Sequence, residues 1–257
     1  MTSSTVKTGT LLLTPALVTA ALGSAIAFAG SADIPAAHDA MIFGTSAGSD
    51  TGNASGKGPA MFAGADGGLN MKRSLVTFDL GTYIPSGATI DLVRMDLIVG
   101  QIAGSGMGGT GGNLPSRTIR VYHLTTPWNE GSSGSPTAQT IGGSGQGYTI
   151  STGDTSWHYT NYTGSTWTTL GGDFNSTEIA NATFTTPFSV GQTCSWSSSG
   201  MVNDVQGWVT SPSSYNGWLI KSDLETTATS FLGWWTVDGA NANHNSALQP
   251  ILHVEWH

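Results

Sequence analysis

Cysteine is almost absent: Cys194 stands alone, so no internal disulfide can form. A lone thiol in an exported chain is either buried or paired with another chain. Its neighbours Thr193, Ser195 and Trp196 suit a strand that buries it. Charge is scarce as well, at 9% of residues, with 8 Lys and Arg against 16 Asp and Glu. The basic residues never cluster, and Lys72-Arg73 is the densest pair. Nucleic acid and anionic bilayer surfaces are therefore not expected as partners, because phosphate recognition needs grouped Lys and Arg. The six histidines, His38, His123, His158, His244, His253 and His257, are scattered along the chain. The acids are spread thinly over the chain, so no catalytic activity is expected.

What is present is glycine and aromatic surface: 36 Gly, 9 Trp, 8 Phe and 6 Tyr. A disordered chain would carry more charge and fewer aromatics. Abundant Thr, Gly and Ser suit many short strands joined by turns and long loops. Without disulfides, stability must come from a sizeable core, which favours one domain over residues 30–257. The first 29 residues read as an export signal. Lys7 supplies a thin positive region, residues 11–28 are largely apolar, and Ala27-Phe28-Ala29 offers a small-x-small cleavage pattern before Gly30. A retained hydrophobic anchor is the alternative, since this stretch approaches the ~20 residues needed to span a bilayer. Either way the chain is expected outside the cell or on its surface, touching membrane only through an uncleaved leader.

Strands are expected at 40–43, 59–63, 72–80 and 90–99. Residues 72–80 alternate imperfectly, as a half-buried strand would, and Ile84-Pro85-Ser86-Gly87 forms a turn. Residues 118–124 follow a glycine-rich loop, and later strands are expected at 156–159, 184–188, 194–197, 218–222 and 251–256. A single segment has helical spacing: Met201, Val202, Val205, Trp208 and Val209. Ser198 or Ser199 caps it, and Ser211-Pro212 ends it. The expectation is an all-β protein, a jelly-roll-like β-sandwich with long Gly/Ser-rich loops and one short helix.

Two motifs resolve to loops. Gly104-Ser105-Gly106-Met107-Gly108-Gly109 fits a dinucleotide fingerprint, but Thr110 to Pro115 supplies no following helix. Gly171-Gly172-Asp173-Phe174 lacks the α/β surroundings of a nucleotide-cyclising enzyme and reads as a turn.

Several short segments, in order, carry a family likeness. They include 72–80, Ile84 to Ile90, Val121-Tyr122-His123-Leu124 with Trp128-Asn129-Glu130-Gly131, and Trp157-His158 through Trp167 to Phe174. The helix at 201–208, Asn216-Gly217-Trp218-Leu219-Ile220 and Pro250-Ile251-Leu252-His253-Val254 complete the set. Together, over roughly residues 35–256, the chain resembles the DNRLRE-domain family of exported proteins. It departs from the family over 226–248, where Phe231-Leu232-Gly233-Trp234-Trp235 and an Asn-rich loop replace a compact charged strand. The resemblance implies a secreted β-sandwich without catalytic residues, in some relatives a carbohydrate-binding module and in others a matrix or surface protein.

Candidate ligand-binding residues are Trp157, Tyr159, Tyr162 and Trp167, which lie close together in a polar segment where sugar rings can stack on aromatic planes. Core filling by Trp157 and Trp167 is the competing reading. Adjacent Trp234 and Trp235 face opposite sides of a strand, so both cannot enter one core. No cofactor is required, with Ca2+ the one candidate: Asp50, Asp66, Asp154 and Asp173 sit in Gly/Ser/Asn loops that offer hard oxygens. Asn53, Asn161, Asn175 and Asn181 head N-x-Ser/Thr sequons. Two functions compete: a carbohydrate-binding or adhesive module whose partner is a polysaccharide or glycan, and a self-assembling subunit of an extracellular fibre, sheath or matrix whose partners are copies of itself.

Overall fold

The computed structural model describes residue 1 and residues 29–102, 116–135, 145–185 and 189–257. The leader at 2–28, the glycine loop at 104–109 and residues 186–188 of the expected strand 184–188 lie outside the described residues. The chain is all-β. Its principal strands are β1 (Gly30–Gly44), β2 (Asp50–Ser55), β3 (Ala60–Ala65), β4 (Met71–Phe78), β5 (Ile90–Ile102) and β6 (Arg117–His123). Three two- or three-residue pieces follow, β7 (Tyr148–Thr149), β8 (Tyr159–Asn161) and β9 (Ser165–Thr166). The chain ends with β10 (Ala180–Phe184), β11 (Thr193–Ser197), β12 (Trp218–Ser222), β13 (Leu232–Trp235) and β14 (Ile251–Trp256). Among the described residues no helix is long and apolar enough to cross a membrane.

The pairings correct the expectation of two separate stacked sheets. β1 pairs with β14 over Gly30–Pro35 and from Ala36 onward with β4, with a register shift in that second ladder between Ala36 and His38. Pro35 has no N–H to continue the first ladder, which fits a change of partner there. β5 likewise pairs with β14 along its first half and with β13 near its end. β13 joins β3, and β3 joins β4, so six strands close into a ring, β1-β14-β5-β13-β3-β4. Long bent strands that serve two sheets convert a sandwich into a barrel. β12, β6 and β10 extend the wall from β4, and β11 flanks β5.

The main buried cluster includes Met41, Phe43, Val76, Phe78, Met95, Trp196, Trp218 and Trp234, each at most 1% exposed. The opposite face of β1, β4, β12 and β6 carries Ile42, Leu75, Leu219, Tyr122 and Leu124, and this second cluster is completed by Trp157 and Trp167 from the 150–174 loop. β4 is therefore covered on both faces, and Lys72 to Val76 are all buried. Two-sided burial is the reason residues 72–80 alternate poorly: neither face of the strand is solvated.

Three α-helices occur among the described residues, where one helix was expected. α1 (Leu80–Tyr83) and α3 (Val237–Ala242) are single turns, and α2 (Ser199–Thr210) is the expected helix. Ser198 caps α2 by accepting the Met201 N–H at 3.1 Å, and Met201, Val205 and Trp208 form its buried stripe. Cys194 is 0% exposed in β11, and burial pushes its thiol up to about 12. The folded protein should resist a thiol-specific reagent at pH 8 and react stoichiometrically once denatured, as absorbance of the released chromophore would report.

Candidate functional site

The end of β4, α1, the end of α2 and two loops enclose a cleft of about 700 Å3. A chain of backbone contacts holds it open. The Trp128 indole N–H donates to the Asn216 carbonyl at 2.9 Å, and the Leu124 N–H donates to the Gly217 carbonyl at 3.1 Å. Gly217 adopts a φ of +80°, and a Cβ there would lie 2.3 Å from the Val76 carbonyl oxygen, so the Asn216-Gly217 turn can press onto β4 only with glycine. Tyr215, beside this turn, accepts a hydrogen bond from the Phe78 N–H through its hydroxyl, and burial pushes its phenol well above the usual range.

Phe78, Leu80, Trp128, Trp208 and Tyr215 give the cleft apolar and aromatic walls. Trp208 stacks against Tyr215 and Trp218, with ring centroids 4.5 and 5.1 Å away. It is 3% exposed, yet its indole N–H has no partner. Thr77 also borders the cleft, and its buried hydroxyl is likewise unpartnered. Two unmet polar groups beside one cleft are unusual, because each costs about 1–3 kcal/mol when left unsatisfied. His38, Asp79 and Asn216 supply further polar edges. His38 bonds the Glu130 carboxylate at 3.3 Å, which raises its pKa despite partial burial.

The sequence-proposed aromatics lie elsewhere. Trp157 and Trp167 are 2% and 3% exposed and belong to the second cluster. Their N–H groups donate inward, to the Gly48 and Ser156 carbonyls at 2.9 Å each, and the Arg73 guanidinium covers the Trp157 ring at 4.6 Å. This corrects their reading as a stacking platform: their planes are already covered by protein. Tyr159 and Tyr162 are half-buried and meet edge to face at 5.0 Å. Trp234 enters the ring core while Trp235 stays partly exposed, as their opposite directions require.

The four loop aspartates are not brought together. Asp154 accepts from the Ser132, Ser133 and Ser151 N–H groups, and Asp173 from those of Thr168 and Thr169. Asp50 accepts from the Gly52 N–H and the Ser156 hydroxyl. Asp66 is penalised by burial, but Asn70 and Lys72 outweigh this and lower its carboxyl to about 2. Asp173 spends its oxygens on nearby loop N–H groups, whereas Asp50 and Asp154 also tie their loops to distant segments. The one group of His, Cys or acids close enough for a metal, among the described residues, is Asp39, Glu130 and Asp238. No local sequence signal marks it, because its members lie on β1, the loop after β6 and α3. Trp128 was visible only as part of the family likeness.

No protein-family model matches this chain, and no curated protein matches it.

Proposed function

We propose that the chain is a non-catalytic, exported or cell-surface binding domain that takes a polysaccharide or glycan into the Trp128–Tyr215 cleft. The observation that carries this reading is an aromatic-walled cleft of about 700 Å3 with polar edges at His38, Asp79 and Asn216. Sugar rings offer apolar C–H faces to aromatic planes and hydroxyls to such polar edges. Trp128 is half-buried, and its bond to Asn216 fixes the ring before any ligand arrives, which lowers the entropic cost of binding. The resemblance to DNRLRE-domain proteins supports the same class of partner. Isothermal titration with glycans selected on an array should show Trp128→Ala weakening binding about tenfold or more. Undiminished affinity in that variant would remove the cleft from consideration.

Self-assembly into a fibre or matrix is the second reading. It is favoured by β11, which pairs on one side only among the described strands and exposes Thr193, Ser195 and Ser197.

A further inference from the structure

Behind His38, three carboxylates from distant parts of the chain converge. One oxygen from each of Asp39, Glu130 and Asp238 lies within 4.8 Å of the other two. Asp39 is 0% exposed; its Oδ2 accepts the Val237 N–H at 2.8 Å, and its Oδ1 has no partner. Asp238 Oδ2 is also buried without a hydrogen bond, with Lys57 Nζ 3.4 Å away. The same ammonium contacts Glu130 Oε2, and the side chain that carries it is 38% exposed. One solvent-accessible lysine, assisted by His38 on Glu130, thus faces three acids. Burial drives Asp39 well above the ordinary carboxylate range and also raises Asp238, so the cluster is undercompensated as it stands.

We infer that Asp39, Glu130 and Asp238 form a binding site for a divalent cation of the calcium class. Each offered ligand atom is a hard carboxylate oxygen, the type Ca2+ selects. Oxygens around one Ca2+ at 2.3–2.6 Å are at most about 5 Å apart, so three within 4.8 Å can share an ion. Calcium also tolerates ligands drawn irregularly from a strand, a loop and a helical turn, whereas Mg2+ demands a near-ideal octahedron. Bound there, the ion takes up the unpaired Asp39 oxygen, and Lys57 turns out to solvent. Lys57 is therefore the ion's competitor for Glu130 and Asp238. This site adjoins the aromatic cleft through His38, which borders the cleft and bonds Glu130, but none of its three acids lines the cleft.

Titration calorimetry and thermal unfolding of the full chain, in CaCl2, MgCl2 or EGTA, test the inference. Calcium should bind with a Kd on the order of 10⁻⁴–10⁻³ M and raise Tm by roughly 5 °C at saturating concentrations, reversibly with EGTA. Asp39→Asn and Asp238→Asn should each weaken binding about tenfold or more, while Lys57→Met should tighten it, an effect that a purely structural lysine would not produce. Absence of a calcium-dependent heat and Tm shift in both the wild type and Lys57→Met would overturn the site. Binding unchanged by Asp238→Asn would do the same, and an equal response to MgCl2 would overturn the choice of ion. If Asp39→Asn does not fold, the Asp238 and Lys57 variants still decide the question.

Discussion

Trp157→Ala should lower the stability of the fold by about 3–5 kcal/mol, read as a lower urea midpoint at unchanged slope. The indole sits against Ile42, Leu75, Leu124, Trp167 and Leu219, between the sheet and the loop that covers it. Gly44 is kept open for it: a Cβ there would stand 2.6 Å from the ring. Truncation would remove a large buried side chain, the hydrogen bond to Gly48 and the aromatic face beneath Arg73. The cavity cannot close easily, because Gly44 and Leu75 belong to paired strands and cannot move inward without breaking ladders. Trp157→Phe should recover part of the loss. A variant that keeps its urea midpoint yet loses glycan affinity would return Trp157 to the role of a ligand contact.

A second large effect is expected at Glu225. Its two oxygens accept from Arg73 Nε at 2.8 Å and Nη2 at 3.0 Å, a bidentate pair at which both side chains are about one-tenth exposed. Lys221 adds a second cation 3.2 Å from Oε2. Glu225→Gln would leave a buried guanidinium without its counter-charge, at a cost of about 3–5 kcal/mol. The double variant Arg73→Met/Glu225→Leu should be less destabilised than Glu225→Gln alone, because it leaves no buried charge unpaired. A double-mutant cycle in urea measures the coupling, and simple additivity of the single losses would refute this account.

Strands with one solvated face or clear local limits were legible from sequence. β12 and β14 begin and end where the apolar runs predict, and α2 carries its cap, stripe and proline stop in the expected places. β1 was visible only over 40–43, because Gly30-Ser31-Ala32-Asp33 has little β preference of its own and becomes a strand by pairing with β14. The strand expected at 156–159 loses to local chemistry: the Ser156 hydroxyl accepts the His158 and Tyr159 N–H groups and bends the chain, and β8 starts only at Tyr159. β2, where no strand was expected, is likewise recruited by β1 and β7. The candidate site was hidden for a related reason. A periodic reading assumes one core, so aromatics in a polar segment look exposed, whereas the loop at 150–174 carries its own apolar underside onto the outer face of the sheet. The cleft draws residues from positions 37 to 216 and the acid cluster from 39 to 238, and no spacing rule connects such positions.

The antiparallel register of β1 and β14 sets Gly30 directly opposite Trp256, with the indole of Trp256 occupying the space a side chain at residue 30 would need. Tension applied through these two residues would load the ladder at one end and open its hydrogen bonds one after another, like a zipper, instead of stressing all of them at once in shear. The join between first and last strands is thus the mechanically soft seam of a barrel that is otherwise closed.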